Sequence, residues 1–176
     1  MYVHLDGARI SNAVASLGVS LKEATVDCGI DIMSFGGTKN GLLMGEAVLI
    51  FNKDLQTNAP YFHKQTAQLF SKNRFIAAQF SALLQNDLWL RMATHANKMA
   101  YLLANEVKKN KTVKITQSVD ANAVFVIIPT EVIEPLRAIY PFYEWDAKTH
   151  EQRWMCSFDT TEDEVLEFVK TLNQLT

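Results

Sequence analysis

The chain has 176 residues, of which 48% are apolar, and its 17 basic and 19 acidic side chains give a formal net charge of −2 at pH 7. This length and composition suit the core of one ordinary domain or of two small ones and disfavour disorder. The near-neutral charge argues against a nucleic-acid-binding module, whose affinity depends on clustered basic residues. No apolar run approaches the roughly 20 residues that span a bilayer.

The sequence also shows no targeting signal and no cysteine spacing typical of disulfide-rich or metal-binding proteins. The N-terminus carries no visible secretory signal, and the two cysteines, Cys28 and Cys156, make neither a disulfide framework nor a paired metal motif. No pair of histidines has metal-ligand spacing beside a matching acid, so no metal site is predicted. The default expectation is a cytoplasmic globular protein without nucleic-acid or membrane partners.

The first part of the chain predicts an α/β sheet, because short apolar strands alternate with helical segments. Strands are expected at Val3–Asp6, Asp31–Phe35 and Ala47–Phe51. The apolar run of the third is typical of a strand buried on both faces. Helical segments are predicted from Asn12 to Gly18 and, capped by Ser20, over Leu21–Ala24.

The middle of the chain predicts two long helices. Apolar residues recur at three- and four-residue spacing from His63 to Leu84, and Asn86-Asp87 offers a break before a second helix over Leu88–Lys108. A smaller α+β unit is expected to follow. Its predicted strands lie at 113–116, 123–128 and 153–158, with a helix around Pro135 and a last helix that starts at a Thr161–Glu164 capping box.

Two charged side chains follow the first two predicted strands. Asp6 lies at the carboxyl end of the first strand, where open α/β sheets place ligands, and Lys39 follows the second strand after a Gly-Gly turn. A lysine in a site of low polarity can lose its proton and act as a Schiff-base amine. Taken alone, Asp6 is better explained as a turn-capping carboxylate paired with Arg9, and Lys39 as a surface lysine in a flexible turn.

Together, this carboxylate and this lysine match the needs of a pyridoxal phosphate enzyme. A carboxylate keeps the pyridine nitrogen of that cofactor protonated, and a lysine amine holds its aldehyde carbon. The glycines before Lys39 do not match the phosphate loop of nucleotide-binding proteins. The pair therefore favours a pyridoxal phosphate site over a nucleotide site.

Several segments of the sequence resemble one known family, the low-specificity L-threonine aldolases, which are pyridoxal phosphate enzymes of the aspartate aminotransferase structural type. The segments are HLDGAR (4–9), SFGGTKNG (34–41), FHKQTAQL (62–69), SKNRFIAAQ (71–79), DLWLRMATHAN (87–97) and RWMCSFDTT (153–161). The resemblance implies an α/β fold made of the C-terminal portion of a pyridoxal phosphate transferase-like large domain and a small C-terminal α+β domain. Residues 1–86 would form the first part with its linking helix, and residues 87–176 the second.

The resemblance also implies roles for particular residues. Asp6 would pair with the pyridine nitrogen, Lys39 would form the Schiff base as the catalytic residue, and Arg9 and Arg153 would hold the substrate carboxylate. A planar guanidinium suits the last role because it can bind a carboxylate through two hydrogen bonds. Without the resemblance, a strand-edge salt bridge is the better interpretation of Arg153.

Arg74, with Lys72 beside it, resembles the basic residues that face the cofactor phosphate of a neighbouring subunit. The plainer interpretation is the solvated face of an amphipathic helix.

Members of the family are much longer than this chain, and the additional part precedes the segment of Asp6. The chain thus corresponds to the C-terminal half of such an enzyme. We expect exposed sheet edges and association with itself or another chain, as a homo-oligomer (dimer or tetramer) with shared sites.

The implied activity is cleavage of L-threonine or L-allo-threonine to glycine and acetaldehyde, with a small amino acid as substrate. The resemblance assigns no residue of this chain as the base that takes the β-hydroxyl proton. Two alternatives stay open at this point. One is another pyridoxal phosphate lyase that eliminates a β-substituent, and the other is an inactive fragment that acts only in assembly.

Overall fold

The computed structural model describes all 176 residues, which divide into two compact units, Met1–Met92 and Ala93–Thr176. Each unit has its own hydrophobic core. None of the helices combines the length and the hydropathy needed to cross a membrane. The assignment of residues 1–86 and 87–176 to the large and small domains of a pyridoxal phosphate enzyme stays a prediction.

The first unit contains a three-stranded sheet. Its strands are β1 (His4–Gly7), β2 (Ile32–Gly36) and β3 (Glu46–Ile50), in the order β1-β2-β3. β1 and β2 run parallel, whereas β3 is antiparallel to β2. All three predicted strands are therefore present. Their core residues are Met33 and Phe35 of β2, packed with Ile10 and Val14.

Two short helices follow β1, as the sequence predicts. Helix α1 (Ile10–Leu17) ends at Gly18, whose φ of 66° is the left-handed conformation that glycine adopts without strain. Helix α2 (Leu21–Ala24) begins with a capping box, in which Ser20 and Glu23 bond to each other's backbone N–H groups. The apolar face of α1 packs through Ile10 and Val14 onto the sheet.

The third strand differs from its prediction as a strand buried on both faces. Val48 is 64% exposed and its neighbour Leu49 is 37% exposed, so both faces of β3 retain accessible apolar side chains. β3 is an edge strand of this sheet, and no element of the unit covers it fully. The apolar run correctly indicates a strand, but the burial that it predicts is absent within this chain.

The single long helix predicted from His63 to Leu84 is wrong. The structure has two separate helices there, α4 (Ala59–Gln65) and α5 (Asn73–Leu84), and the short helix α3 (Lys53–Gln56) precedes them. After α4, Ala67 takes a left-handed φ of 58°, and the N–H groups of Ala67 and Gln68 bond to the carbonyls of Lys64 and His63. This Schellman motif ends α4, although Ala67 lacks the usual glycine.

Helix α6 (Leu88–Val107) begins after the predicted break, at which Asn86 and Asp87 both have left-handed backbone angles.

The second unit is a four-stranded antiparallel sheet with two further helices. Its strands are β4 (Lys114–Ile115), β5 (Ala123–Ile127), β6 (Tyr143–Asp146) and β7 (Glu151–Met155), in the order β4-β5-β7-β6, and its helices are α7 (Thr130–Ile139) and α8 (Glu162–Leu175).

One strand of this unit is missing from the sequence prediction. The edge strand β6 is mainly exposed and reads YEWD, an alternation of aromatic and acidic residues that covers only four positions. The core of the unit is formed instead mainly by the buried faces of α6, β5, α7 and α8, with Trp154 of β7 packed among them. These four elements are the ones whose apolar periodicity is clear in the sequence.

The predicted capping box of α8 is present and leads to a testable expectation. Thr161 Oγ1 accepts a hydrogen bond from Glu164 N at 3.2 Å, and Glu164 Oε2 accepts one from Thr161 N at 2.7 Å. Thr161→Ala should lower the free energy of unfolding by about 1 kcal/mol. Chemical denaturation checks this, with Thr171→Ala, on the same helix but away from the cap, as the control that changes little.

The effect of Thr161→Ala should also depend on pH. Hydrogen bonds from Thr161 hold the pKa of Glu164 below its usual value of 4.5 in the folded chain. The pKa is depressed on folding, so this contribution is present above about pH 4.5 and is lost as the pH falls through the folded value. The difference between wild type and Thr161→Ala should therefore shrink between pH 6 and pH 3, roughly the range that brackets the titration of a glutamate. An unchanged difference would contradict the capping role of Glu164.

Candidate functional site

The predicted site begins at one edge of the first sheet. β1 and β2 are parallel with Asp6 opposite Ser34 and Gly7 opposite Phe35, so their carboxyl ends reach the same edge. Asp6 Oδ1 accepts a hydrogen bond from Ala8 N at 3.0 Å, which fixes the carboxylate beside the turn. The second oxygen, Oδ2, accepts no hydrogen bond within the chain, and the Asp6 side chain is exposed.

The two sequence motifs touch each other through their backbones at this edge. A Cβ atom built on Gly36 would lie 2.3 Å from Ala8 O and 2.6 Å from Ala8 C. Only glycine allows this approach, because no real Cβ atom comes so close to main-chain atoms. Gly36 is therefore the contact that joins the segment of Asp6 to the segment of Lys39.

Lys39 lies on a single turn of 3₁₀ helix, Thr38–Asn40, directly after β2. The Glu46 carboxylate accepts hydrogen bonds from Gly37 N at 3.1 Å and from Thr38 N at 3.2 Å, and so holds the start of this turn. At its end, Asn40 Nδ2 donates to the Trp89 carbonyl at 2.9 Å. The backbone of the turn is anchored on both sides, whereas the Lys39 side chain is exposed and its amine has no hydrogen bond or ion pair in the chain.

Glu46 was not among the residues predicted from the sequence, and its role can be tested. Glu46→Ala removes both hydrogen bonds, each worth about 1 kcal/mol. We expect the amides of Gly37 and Thr38 to exchange with solvent about fivefold faster or more. Amide hydrogen exchange measures this directly, and Glu167→Ala, at an exposed position on α8, is the control. Unchanged exchange at both amides would show that Glu46 does not hold the turn.

Arg9 lies in the same unit, at the N-cap position of α1, where it is half-buried. Its carbonyl accepts the first hydrogen bonds of the helix, from Asn12 N at 3.0 Å and Ala13 N at 3.2 Å. The backbone of Arg9 is thus fixed three residues after Asp6. His4 on β1 is exposed, and its Nε2 lies 3.1 Å from Ser34 Oγ.

Arg153 lies in the second unit, on the central strand β7. Its guanidinium carbon is 4.7 Å from the ring centroid of Trp145, and its buried Nε has no hydrogen-bond partner. No carboxylate forms a salt bridge with Arg153. The plainer interpretation as a strand-edge salt bridge is therefore wrong, since the strand is internal and the cation is uncompensated.

Lys72 and Arg74 are not in the middle of a long helix, as predicted, but at the start of α5. Lys72 occupies the N-cap position and Arg74 the first turn. Both side chains are exposed, and the Arg74 guanidinium carbon lies 5.3 Å from the ring centroid of Phe75. Two positive charges at a helix N-terminus interact unfavourably with the positive end of the helix dipole. A contribution to the stability of α5 therefore does not explain why Lys72 and Arg74 lie there.

Comparison with known proteins places these features in a family. The family model described as beta-eliminating lyase matches residues 1–131. The chain is 44% identical over 173 residues to a low-specificity L-threonine aldolase of Pseudomonas aeruginosa, covering 98% of this chain and 50% of that protein. It is 28% identical over 169 residues to the low-specificity L-threonine aldolase of Saccharomyces cerevisiae, covering 96% of this chain and 42% of that protein.

A solved structure gives the same result for the fold. The threonine aldolase of Leishmania major superposes with a TM-score of 0.87 at 30% identity, covering 99% of this chain and 52% of that one. The chain thus spans about half the length of the relatives that it matches. The predicted α/β fold of the pyridoxal phosphate transferase type is confirmed, and the chain belongs to the beta-eliminating lyase family.

Proposed function

We propose that this chain provides part of a pyridoxal phosphate site that cleaves L-threonine or L-allo-threonine to glycine and acetaldehyde. The observation that carries the proposal is the backbone contact of Gly36 with Ala8, which brings the segments of Asp6 and Lys39 to one sheet edge. The similarity to threonine aldolases over 98% of the chain supports the choice of substrate.

The donor set fits pyridoxal phosphate. Asp6 has one oxygen anchored by Ala8 N and the other available to accept a hydrogen bond from a protonated ring nitrogen. Lys39 has an unpaired amine on a turn whose backbone is held at both ends. An anchored carboxylate and an unpaired amine at one edge are what this cofactor needs from a protein.

The chemistry then divides among named residues. Lys39 would hold the aldehyde carbon through its amine, and Asp6 would keep the proton on the ring nitrogen. When bound, the cofactor supplies an electron sink for the pair released by the broken Cα–Cβ bond. The reaction balances in protons. The β-hydroxyl group loses its proton as acetaldehyde forms, and Cα of the glycine product gains a proton.

Arg9 and Arg153 are each proposed as ligands of the substrate carboxylate. Arg153 supports this role because its cation has no acidic partner and its buried Nε has no acceptor. A buried donor left unpaired costs free energy, so an incoming carboxylate would relieve an existing deficit. The stacking on Trp145 would hold the guanidinium plane in one orientation.

We further propose that the active protein is a cytoplasmic homo-oligomer, with residues 1–86 in its large domain and 87–176 in its small one. Large apolar side chains of the first unit remain exposed, namely Leu43, Met44, Val48, Tyr61, Phe62, Leu69, Phe70 and Phe75. An exposed set of this size usually marks an interface. Arg74, exposed at the start of α5, is proposed to bind the cofactor phosphate of a neighbouring subunit.

Substrate cleavage tests the proposed activity. The protein is incubated with pyridoxal phosphate and L-allo-threonine, and acetaldehyde is trapped and measured. We expect acetaldehyde from the wild type and none from Lys39→Ala.

The second candidate is a different pyridoxal phosphate lyase, which the description of the family model favours. Cleavage of tryptophan or tyrosine with none of threonine would establish that candidate instead.

The remaining alternative is an assembly module without catalytic activity. Addition of pyridoxal phosphate to the chain distinguishes it, because a lysine-bound cofactor has a visible absorption band that is shifted from the band of the free cofactor. A band that disappears in Lys39→Ala supports the enzyme. No band in the wild type would favour the inactive module.

A further inference from the structure

The segment between β2 and β3, residues 37–45, forms a closed loop that carries Lys39 and is called the lysine loop below. Its two ends meet, because a Cβ atom built on Gly37 would lie 2.5 Å from Gly45 O. Leu42 is 9% exposed and fills the loop from inside, and its N–H donates to Gly37 O at 3.2 Å. A compact surface loop of this kind, with close ends and its own side chain packed inside, is an Ω-loop, and Ω-loops frequently carry functional residues.

The hydroxyl group of Thr38 closes the neck of the lysine loop. Thr38 Oγ1 accepts a hydrogen bond from Gly45 N at 3.0 Å and donates one to Gly45 O at 3.3 Å. A hydroxyl group can make both bonds because it is a donor and an acceptor at once. Thr38 directly precedes Lys39, so these bonds fix the chain one residue before the amine-bearing residue.

Helix α5 supports the part of the lysine loop that follows Lys39. Gln79 Oε1 accepts a hydrogen bond from Leu43 N at 2.9 Å. A Cβ atom built on Gly45 would lie 2.7 Å from Ile76 Cγ2, so the loop backbone rests directly on the helix. The helix therefore holds the second half of the loop, and the Thr38 hydroxyl ties the half that carries Lys39 to it.

Few apolar contacts hold the lysine loop closed besides these polar ones. Leu43 is 86% exposed and Met44 is 51% exposed, and Gly41 and Gly45 have positive φ angles of 106° and 131°. A segment with few buried apolar contacts opens locally at a low free-energy cost, without unfolding of the whole unit. Loss of the hydroxyl bonds at the neck should therefore increase the fraction of chains in which the loop is open.

We propose that Thr38 is a positioning residue for Lys39, which acts by closing the neck of the lysine loop. This inference rests on the proposed function, in which Lys39 holds the cofactor aldehyde. A closed neck keeps the Lys39 amine at the sheet edge of Asp6, whereas an open neck lets it move away. Cofactor affinity falls with the fraction of chains that have the competent conformation. The proposal requires no contact between Thr38 and the cofactor.

Two variants of the full 176-residue chain separate the hydroxyl group from the rest of the side chain. Thr38→Val keeps the branched shape and removes the hydroxyl, whereas Thr38→Ser keeps the hydroxyl. Amide hydrogen exchange is measured first, without cofactor, at Leu42 and Leu43. Their N–H groups do not bond to Thr38, so they report opening of the loop and not the lost bond itself. We expect exchange about fivefold faster or more in Thr38→Val than in Thr38→Ser.

The second measurement is the dissociation constant for pyridoxal phosphate, from the absorption band of the lysine-bound cofactor. We expect it to rise about fivefold or more in Thr38→Val and to stay near the wild-type value in Thr38→Ser. The control is Thr171→Val on α8, where the hydroxyl donates to Glu167 O at 3.0 Å. It loses a similar bond far along the chain from the lysine loop and should change neither quantity.

The possible failures are distinguishable. Equal exchange rates in Thr38→Val and Thr38→Ser would overturn the closing role of the hydroxyl. Faster exchange in Thr38→Val with an unchanged dissociation constant would show that Thr38 stabilises the loop without positioning Lys39, and would also overturn the proposal. A wild type without a lysine-bound band would contradict the proposed function itself, before any variant is compared, and this inference with it.

Discussion

Replacing Lys39 by alanine is expected to abolish the visible absorption band of bound pyridoxal phosphate and to lower threonine cleavage by about 10³-fold or more. The physical reason is that the exposed Lys39 amine is the nucleophile proposed to hold the aldehyde carbon, and alanine has no nitrogen. The turn that carries it should survive the change, because Glu46 and Asn40 hold its backbone and not its side chain. Absorption spectra and the acetaldehyde assay measure the two effects.

Lys39→Arg is the matched variant, because it keeps the charge and most of the length but cannot form the same covalent bond. It should lose the band as completely as Lys39→Ala. The control Lys53→Ala, at another exposed lysine of the same unit, should keep the band. A band that persists in both Lys39 variants would remove this residue from the cofactor site.

The second large effect is expected from Gly36→Ala. The new Cβ would lie 2.3 Å from Ala8 O and 2.8 Å from Ala8 Cα, so the two backbone segments must separate. Overpacking of this kind should lower the free energy of unfolding by about 3 kcal/mol. It should also weaken cofactor binding, because the segments of Asp6 and Lys39 no longer meet. Chemical denaturation and a pyridoxal phosphate titration measure the two consequences.

Two control variants separate the clash from other effects of losing a glycine. Gly18→Ala should cost only about 1 kcal/mol, since its left-handed φ is strained with a Cβ but nothing lies within 4 Å. Ala8→Gly should not rescue Gly36→Ala, because the clash is with main-chain atoms of residue 8. Rescue by Ala8→Gly, or equal costs at positions 36 and 18, would contradict the close backbone contact.

Much of the fold could be predicted because its signals are local. The strands β1 and β2 are short apolar runs ended by glycine, the Ser20 cap of α2 needs one residue before the helix, and the capping box of α8 needs only two residues at fixed spacing. Asp6 and Lys39 could be paired because parallel strands bring their carboxyl ends to one edge. The structure has these strands and helix caps where they were expected, whereas the roles of Asp6 and Lys39 stay a prediction.

Other features could not be predicted, because tertiary contacts determine them. The break after α4 depends on Ala67 taking a left-handed conformation, which nothing in an alanine indicates. Glu46 holds the turn of Lys39 only because β3 returns antiparallel beside β2 and places its carboxylate at Gly37 N. The stacking of Arg153 on Trp145 likewise could not be predicted, because it requires β6 to pair beside β7, and this pairing has no local signal.

The central claim is that the sheet edge formed by β1 and β2 holds a cofactor aldehyde through Lys39. The most direct test treats the chain with pyridoxal phosphate, reduces the lysine adduct with borohydride and maps the modified peptides by mass spectrometry. At stoichiometric cofactor, we expect the label on Lys39 and none on the chain in Lys39→Ala. Labelling spread over other exposed lysines, with Lys39 no more modified than Lys53 or Lys148, would contradict it.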